Sequence, residues 1–345
     1  MISRRILAAA LCAILSASAA GAQTAAVQGR ALADDGAPVP LSVIRLLPAT
    51  GGSGRTVLTD ARGAFRFDTV AAGSYRLRME RIGYTAPPSA EFVVGAGGTS
   101  EHTLRAALQP VVLEGVTSGR PACYTRDRLG ESPAVQTLWR EAIKGVEQRR
   151  AFAAQYAYRY NMRTRGAAHL RLLPDRRINS DTTILVHPDS GRARRARAEA
   201  AGDTVQGKSL MIRVPSELTL LRDDFLVGHC LEANPQLDSA GAWTLRFRPV
   251  GAAARGGLAL AGALRLDSRT FAVRRIEFQY LDGRREWASG TLDFAEVSTP
   301  FGTVRLPRSS RVRADPSGRM GLIITELEGD IDFHGYRGFE RVRGG

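Results

Sequence analysis

What most limits the folds open to this chain is a hydrophobic period of two that returns, run after run, over its second half. Phe152, Ala154, Tyr156, Tyr158, Tyr160 and Met162 alternate with Gln155, Arg159, Asn161 and Arg163. The same alternation marks Trp243 to Phe247, Leu260 to Leu266, Val273 to Tyr280, Leu292 to Val297, Val304 to Val312 and Leu322 to Phe333. Asp267-Ser268, Asp282-Gly283 and Pro316-Ser317-Gly318 fall at the turns between them. Successive side chains of a strand point to opposite faces, so the pattern predicts an antiparallel meander with one apolar face and one rich in arginine.

Residues 26–108 predict shorter strands at close spacing, the habit of a β-sandwich. Asp34-Asp35-Gly36 is a turn, and Asp60-Ala61-Arg62-Gly63 is one in which Asp bonds its own backbone and Gly takes positive φ. The ordered set Val27-x-Gly29, Pro40, Val43-x-Arg45, Thr59-Asp60-x-x-Gly63-x-Phe65, Gly73-x-Tyr75 and Gly83-Tyr84 resembles the carboxypeptidase regulatory-like domain. That resemblance implies a seven-stranded, transthyretin-like sandwich of the carbohydrate-binding-like kind. Each matching residue also has a plain structural task, in turn, bend or core.

Between the two patterns, 109–131 is expected to be a connector, with Val111 to Thr117 strand-like. Ser132-Pro133 opens a helix, since Ser caps and Pro suits the first turn. Val135, Leu138, Trp139, Ala142, Ile143 and Val146 share one face of it. Pro215 to Leu226 is the other expected helix. The whole is therefore a mainly β chain: an N-terminal sandwich, then an α+β domain over 132–345 with a curved antiparallel sheet and one or two helices. The second domain resembles an uncharacterised region that follows such sandwiches in exported bacterial proteins, on Leu138-Trp139-x-Glu141-Ala142 and Phe225-x-x-x-His229-Cys230. Gly262-x-Leu264-x-Leu266-Asp267 belongs to that resemblance too and, with Arg275-Ile276-Glu277-Phe278 and Gly290-x-Leu292-x-Phe294, is also similar to the half-barrels of periplasmic lipoprotein carriers, which implies a sheet around an apolar ligand.

The start of the chain predicts export. Arg4-Arg5, the apolar stretch Ile6 to Leu15 and Ala20-Gly21-Ala22 have the order of a signal peptide over 1–22. The stretch is too short to span a bilayer, which takes about 20 apolar residues. The expected place is the periplasm or the outer membrane. Net charge is +14, and Lys144 and Lys208 are the only lysines. The arginines lie along strands, with one dense run at Arg192 to Arg197. Spread in this way they argue against a nucleic-acid partner and leave anionic lipid, glycan or another envelope protein. Two cysteines follow the leader, Cys123 and Cys230. In an oxidising compartment they are a disulfide candidate; two separate thiols remain the alternative.

A search for chemistry finds no nucleophile elbow, no H-E-x-x-H and no C-x-x-C. His229-x-x-Glu232 with His334 has the composition of a zinc site. Against it stand the absence of strand–helix alternation in 132–345 and the eleven residues left after His334. No catalytic residue, cofactor or metal is expected. The expected function is a non-catalytic binding or scaffold module, with a ligand surface over Phe152, Tyr156, Tyr158 and Tyr160. The rival readings are an outer-membrane β-barrel and, less favoured, a zinc hydrolase.

Overall fold

In the computed structural model the described residues are 25–342 apart from 110–121, 171–172, 189–203, 208–209, 223, 235–236, 252–257 and 316–323. The signal peptide, the strand-like connector and the Arg192 to Arg197 run fall outside them.

The sandwich is built from β1 (Ala25–Ala33), β2 (Val43–Pro48), β3 (Arg55–Leu58), β4 (Ala64–Val70), β5 (Gly73–Glu80), β6 (Tyr84–Thr85), β7 (Phe92–Val94) and β8 (Thr99–Leu108). One sheet runs β4-β1-β8-β6 and the other β3-β2-β5-β7. The two-residue β6 is the strand beyond the expected seven. Val27, Ile44, Leu46, Phe65, Phe67 and Leu77 fill the space between the sheets. Asp60 Oδ1 accepts from the Arg62 and Ala64 amides at 2.9 and 2.8 Å, which closes the β3–β4 turn.

One long helix, α1 (Pro133–Gln155), follows. Ser132 caps it, its hydroxyl accepting from the Val135 amide at 3.4 Å, and Pro133 occupies the first position. Its apolar stripe is buried. The helix runs three residues past Phe152, so that residue is helical rather than the start of a strand. The cause is three-dimensional: Phe152 lies off the stripe of Val135 to Val146 and packs with Leu41, Val43 and Leu58 of the sandwich. The expected second helix is two single turns, α2 (Glu217–Leu220) and α3 (Phe225–Gly228).

The remaining strands are β9 (Tyr156–Leu170), β10 (Arg176–Val186), β11 (Thr204–Gly207), β12 (Leu210–Arg213), β13 (His229–Asn234), β14 (Ala242–Pro249), β15 (Leu258–Asp267), β16 (Val273–Asp282), β17 (Arg285–Thr299), β18 (Gly302–Ala314) and β19 (Ile324–Arg341). Nine form one antiparallel sheet, β10-β9-β19-β18-β17-β16-β15-β14-β13, and β11-β12 is a separate hairpin. The sheet is open, since its outer strands β10 and β13 pair with other strands and not with each other. No closed barrel forms. Among the described residues no helix is long and apolar enough to cross a membrane.

Glycine takes a particular place in both sheets. Gly29 faces Phe65, Gly262 faces Phe247 and Gly290 faces Phe278 across their ladders. Each ring lies over its glycine, with a ring carbon 2.9, 2.7 or 2.6 Å from where a Cβ would stand. A side chain there would displace an aromatic of the core. The glycines of the Gly-x-Leu motifs therefore make room for packing.

Candidate functional site

The apolar face of the nine-stranded sheet is filled. Leu138, Trp139, Ala142 and Val146 of α1 pack with Leu245, Phe247, Leu264, Ile276, Phe278 and Leu292 in a single cluster. The cavity at this seam, between Ile82, α1, Glu217 and Val304, measures about 30 Å³, room for about one water. Among the described residues this face is packed against a helix rather than wrapped around an apolar ligand, as it would be in a lipoprotein carrier. The helix occupies the place that ligand would need.

The aromatics expected to form a ligand surface lie at the junction of the two parts. Phe152 and Tyr156 are fully buried, Tyr158 is 9% exposed and Tyr160 is half-buried. Phe152 stacks on Tyr156 with ring centroids 4.6 Å apart. Leu41, Val43 and Leu58 of the sandwich share a cluster with Phe152, Tyr156, Tyr158, Val304 and Leu306. Polar groups fasten the same seam. The buried Glu141 carboxylate accepts from the Gly83 amide at 2.9 Å and from Lys144 Nζ at 2.5 Å. Gln155 accepts from the Leu58 amide at 3.1 Å, Gln148 donates to the Leu41 carbonyl at 3.1 Å, and Arg45 meets Glu147 at 2.7 Å. Phe152, Tyr156, Tyr158 and Tyr160 thus lie in the joint, with apolar packing inside and hydrogen-bonded polar groups around it, while the buried Tyr156 hydroxyl has no hydrogen-bond partner among the described residues.

Cys123 and Cys230 are bonded, with Cα atoms 5.3 Å apart. Beside the bridge Tyr124 and Leu231 exchange backbone hydrogen bonds at 2.8 and 2.9 Å. The segment before α1 is thereby held on β13, the outer strand on that side of the sheet.

His229 and Glu232 do not converge with His334. His229 is stacked on Phe225, ring centroids 3.9 Å apart, and its two ring nitrogens face the Phe225 and Leu260 carbonyls at 3.0 and 3.1 Å. Burial holds its pKa below the ordinary value, against the upward pull of those two carbonyls. Glu232 pairs with Arg248. His334 sits on β19, against β9. Among the described residues no three groups stand close enough to hold a metal ion. A deeply buried ion pair among the described residues is Arg149–Glu217 at 2.7 Å, and there burial raises the carboxyl pKa despite Arg149 and Arg305.

The other face of the large sheet is polar and open. Cross-strand pairs line it: Arg163–Asp181 at 3.2 Å, Arg165–Asp332 at 3.6 Å, Arg311–Asp330 at 3.0 Å, Arg275–Asp293 at 2.5 Å and Arg265–Glu277 at 3.0 Å. Most sit directly opposite in register, so strand pairing itself brings the charges together. Singly each is worth no more than about 1 kcal/mol, and strand pairing sets the spacing of their guanidinium groups. Contacts with Asp293 and Glu277 raise the pKa values of Arg275 and Arg265.

Two shallow depressions on this part of the sheet, about 700 and 680 Å³, share Arg275, Asp293, Phe294 and Arg308. Arg308 is there because the β17–β18 register slips: Asp293 faces Ser309 whereas Phe294 faces Pro307, leaving Arg308 as the extra residue of a β-bulge. The alternation pattern gave no sign of this position. Pro307 within a strand is the signal that could have found it, because Pro in a sheet marks an edge or a bulge.

Residues 26–109 match the family model of the carboxypeptidase regulatory-like domain, so the sandwich is of that kind. No curated protein matches the chain. Among solved structures, GBS52, the minor pilin of Streptococcus agalactiae, is 20% identical over 28% of this chain, with TM-score 0.23. The chain spans about half of that pilin, 49%. BcpA, the major pilin subunit of Bacillus cereus, is 9% identical over 88% of this chain and 95% of its own, with TM-score 0.22. A DUF1329 family protein from Desulfovibrio piger is 12% identical over 59% and 92%, with TM-score 0.28.

Proposed function

We propose that the protein is an exported, non-catalytic module of the bacterial cell envelope that binds a polar partner through the outer face of its nine-stranded sheet. One observation carries this reading. The apolar face is closed by α1 and the sandwich, while the opposite face presents a fixed lattice of arginines and carboxylates to solvent. A filled core with an ordered polar face favours holding a partner over carrying an apolar molecule. Export is supported by the leader pattern over 1–22 and by the Cys123–Cys230 bond, which is at home in an oxidising compartment. The sandwich acts as the rigid base, fastened through Glu141, Gln148 and Gln155.

The test is co-sedimentation of the mature chain, beginning at Gln23, with isolated cell-envelope fragments. Binding at physiological salt, with no peptide, ester or glycan product released, is the expected result. A chain that stays in the supernatant, or that turns over any such substrate, refutes the proposal.

A further inference from the structure

The depression around the β17–β18 bulge has an unusual charge balance. Three arginines, Arg163, Arg275 and Arg308, line it with two aspartates, Asp293 and Asp332. Both aspartates already have partners, Arg275 at 2.5 Å and Arg165 at 3.6 Å, and Arg163 pairs with Asp181 at 3.2 Å. Among the described residues Arg308 has no carboxylate partner, and it is exposed. Ser309 and His334 complete the wall beside it, and the His334 ring makes no hydrogen bond to a described residue. The bulge thus lifts one guanidinium out of the paired lattice and leaves its donors unused over an open hollow.

We propose that this hollow, centred on Arg308 with Arg163, Arg275, Ser309 and His334, binds the carboxylate of an acidic sugar in an envelope polysaccharide. The inference rests on the reading of the polar face as a binding surface and names its ligand class. A guanidinium receives a carboxylate with two parallel hydrogen bonds, a geometry that suits Arg above Lys. Asp293 and Asp332 flank the same space and accept hydrogen bonds from sugar hydroxyls. Those two carboxylates repel a phosphate dianion about twice as strongly as the single charge of a sugar carboxylate. A phospholipid would need an apolar rim, and among the described residues the large exposed apolar side chains, Val93, Leu108, Leu173, Leu185, Val227 and Leu237, lie outside the hollow. A volume of about 700 Å³ is within the range of small-ligand sites and admits one or two sugar rings.

The experiment is calorimetric titration of the mature, oxidised chain with trigalacturonate and with neutral maltotriose. Trigalacturonate binds and maltotriose does not. Arg308→Gln weakens binding by about tenfold or more, the effect of losing a charge-assisted contact. Arg30→Gln, an equal change of net charge on the sandwich, leaves it unchanged. Should Arg308→Gln fold poorly, judged by its melting temperature, the pair Ser309→Ala and His334→Gln reads the same wall and also weakens binding. Equal affinity of Arg308→Gln and the parent overturns the site, as does equal weakening by Arg30→Gln. Capture by anionic phospholipid vesicles without trigalacturonate binding overturns the sugar assignment. Envelope co-sedimentation that persists without trigalacturonate binding removes this site alone, whereas loss of both removes the module reading as well.

Discussion

Phe152→Ala separates a structural joint from a ligand surface. The ring is fully buried, stacks on Tyr156 at 4.6 Å, and lies 5.9 Å from Tyr158 and 6.0 Å from Phe339, centroid to centroid. Its cluster includes Leu41, Val43 and Leu58 of the sandwich. An aromatic side chain buries about 150–250 Å², and at about 25 cal/mol/Å² that is about 4–6 kcal/mol. Alanine recovers part of it, so a loss of about 3–5 kcal/mol is expected, in line with measured Phe→Ala changes in cores. Because the ring contacts both parts, urea unfolding of the parent should be one transition reported alike by tryptophan fluorescence and far-UV circular dichroism. The variant should unfold at lower urea, either as one transition or with the sandwich released separately. A change below about 1 kcal/mol, the size of an ordinary surface substitution, refutes the shared joint and returns Phe152 to the surface.

Reduction of Cys123–Cys230, or its replacement by a serine pair, should lower stability by up to about 4–5 kcal/mol on the chain-entropy model, given a separation of 107 residues; urea melts with and without reductant measure it. Gly262→Ala should cost about 1–3 kcal/mol, because its Cβ would stand 2.0 Å from the Glu277 carbonyl oxygen and 2.7 Å from the Phe247 ring; an unchanged midpoint refutes the close approach. For His229, burial places the folded pKa below the unfolded one, so the unfolded chain binds the extra proton first. Its contribution is complete above the unfolded value of about 6.5 and is lost as pH falls toward the folded value. A His229→Gln chain should therefore show a flatter decline of melting temperature on acidification; a slope equal to the parent's refutes the assignment.

Local chemistry made much of the fold legible. The turn at Asp60 to Gly63, the Ser132-Pro133 start of α1 and the alternating apolar residues of β14 to β19 each carry a short-range signal, and the structure has all three. Phe152 shares the even spacing of Tyr156, Tyr158 and Tyr160 and lies off the helical stripe, so only its contact with the sandwich decides what it does. The same long-range fact hid the seam. Nothing near Leu41 or Leu58 in sequence tells that they face a helix about a hundred residues later. The Cys123–Cys230 pair was readable because compartment and count left few choices, although meeting of the sulfurs is a three-dimensional fact. Arg308 was the least visible, since a register slip between two strands belongs to neither strand alone.

The joint and the polar face are one design. An isolated antiparallel sheet with a period of two must cover its apolar side, and here α1 covers it while its other side and last turn receive the sandwich. Cross-strand ion pairs add little stability in solvent, so the arginine lattice is not what keeps the sheet folded. Its rigidity comes from the packed side, which holds guanidinium groups at spacings set by strand pairing. A partner that matches those spacings meets groups that need no further ordering, and the entropic cost of binding falls accordingly. Loosening the seam at Phe152 should then weaken binding on the opposite face even though no partner touches that residue, a coupling measured by titrating the Phe152→Leu chain, which keeps most of the packing, with the same trigalacturonate. Affinity unchanged while stability drops would show that the face is ordered by its own ion pairs and not by the core beneath it.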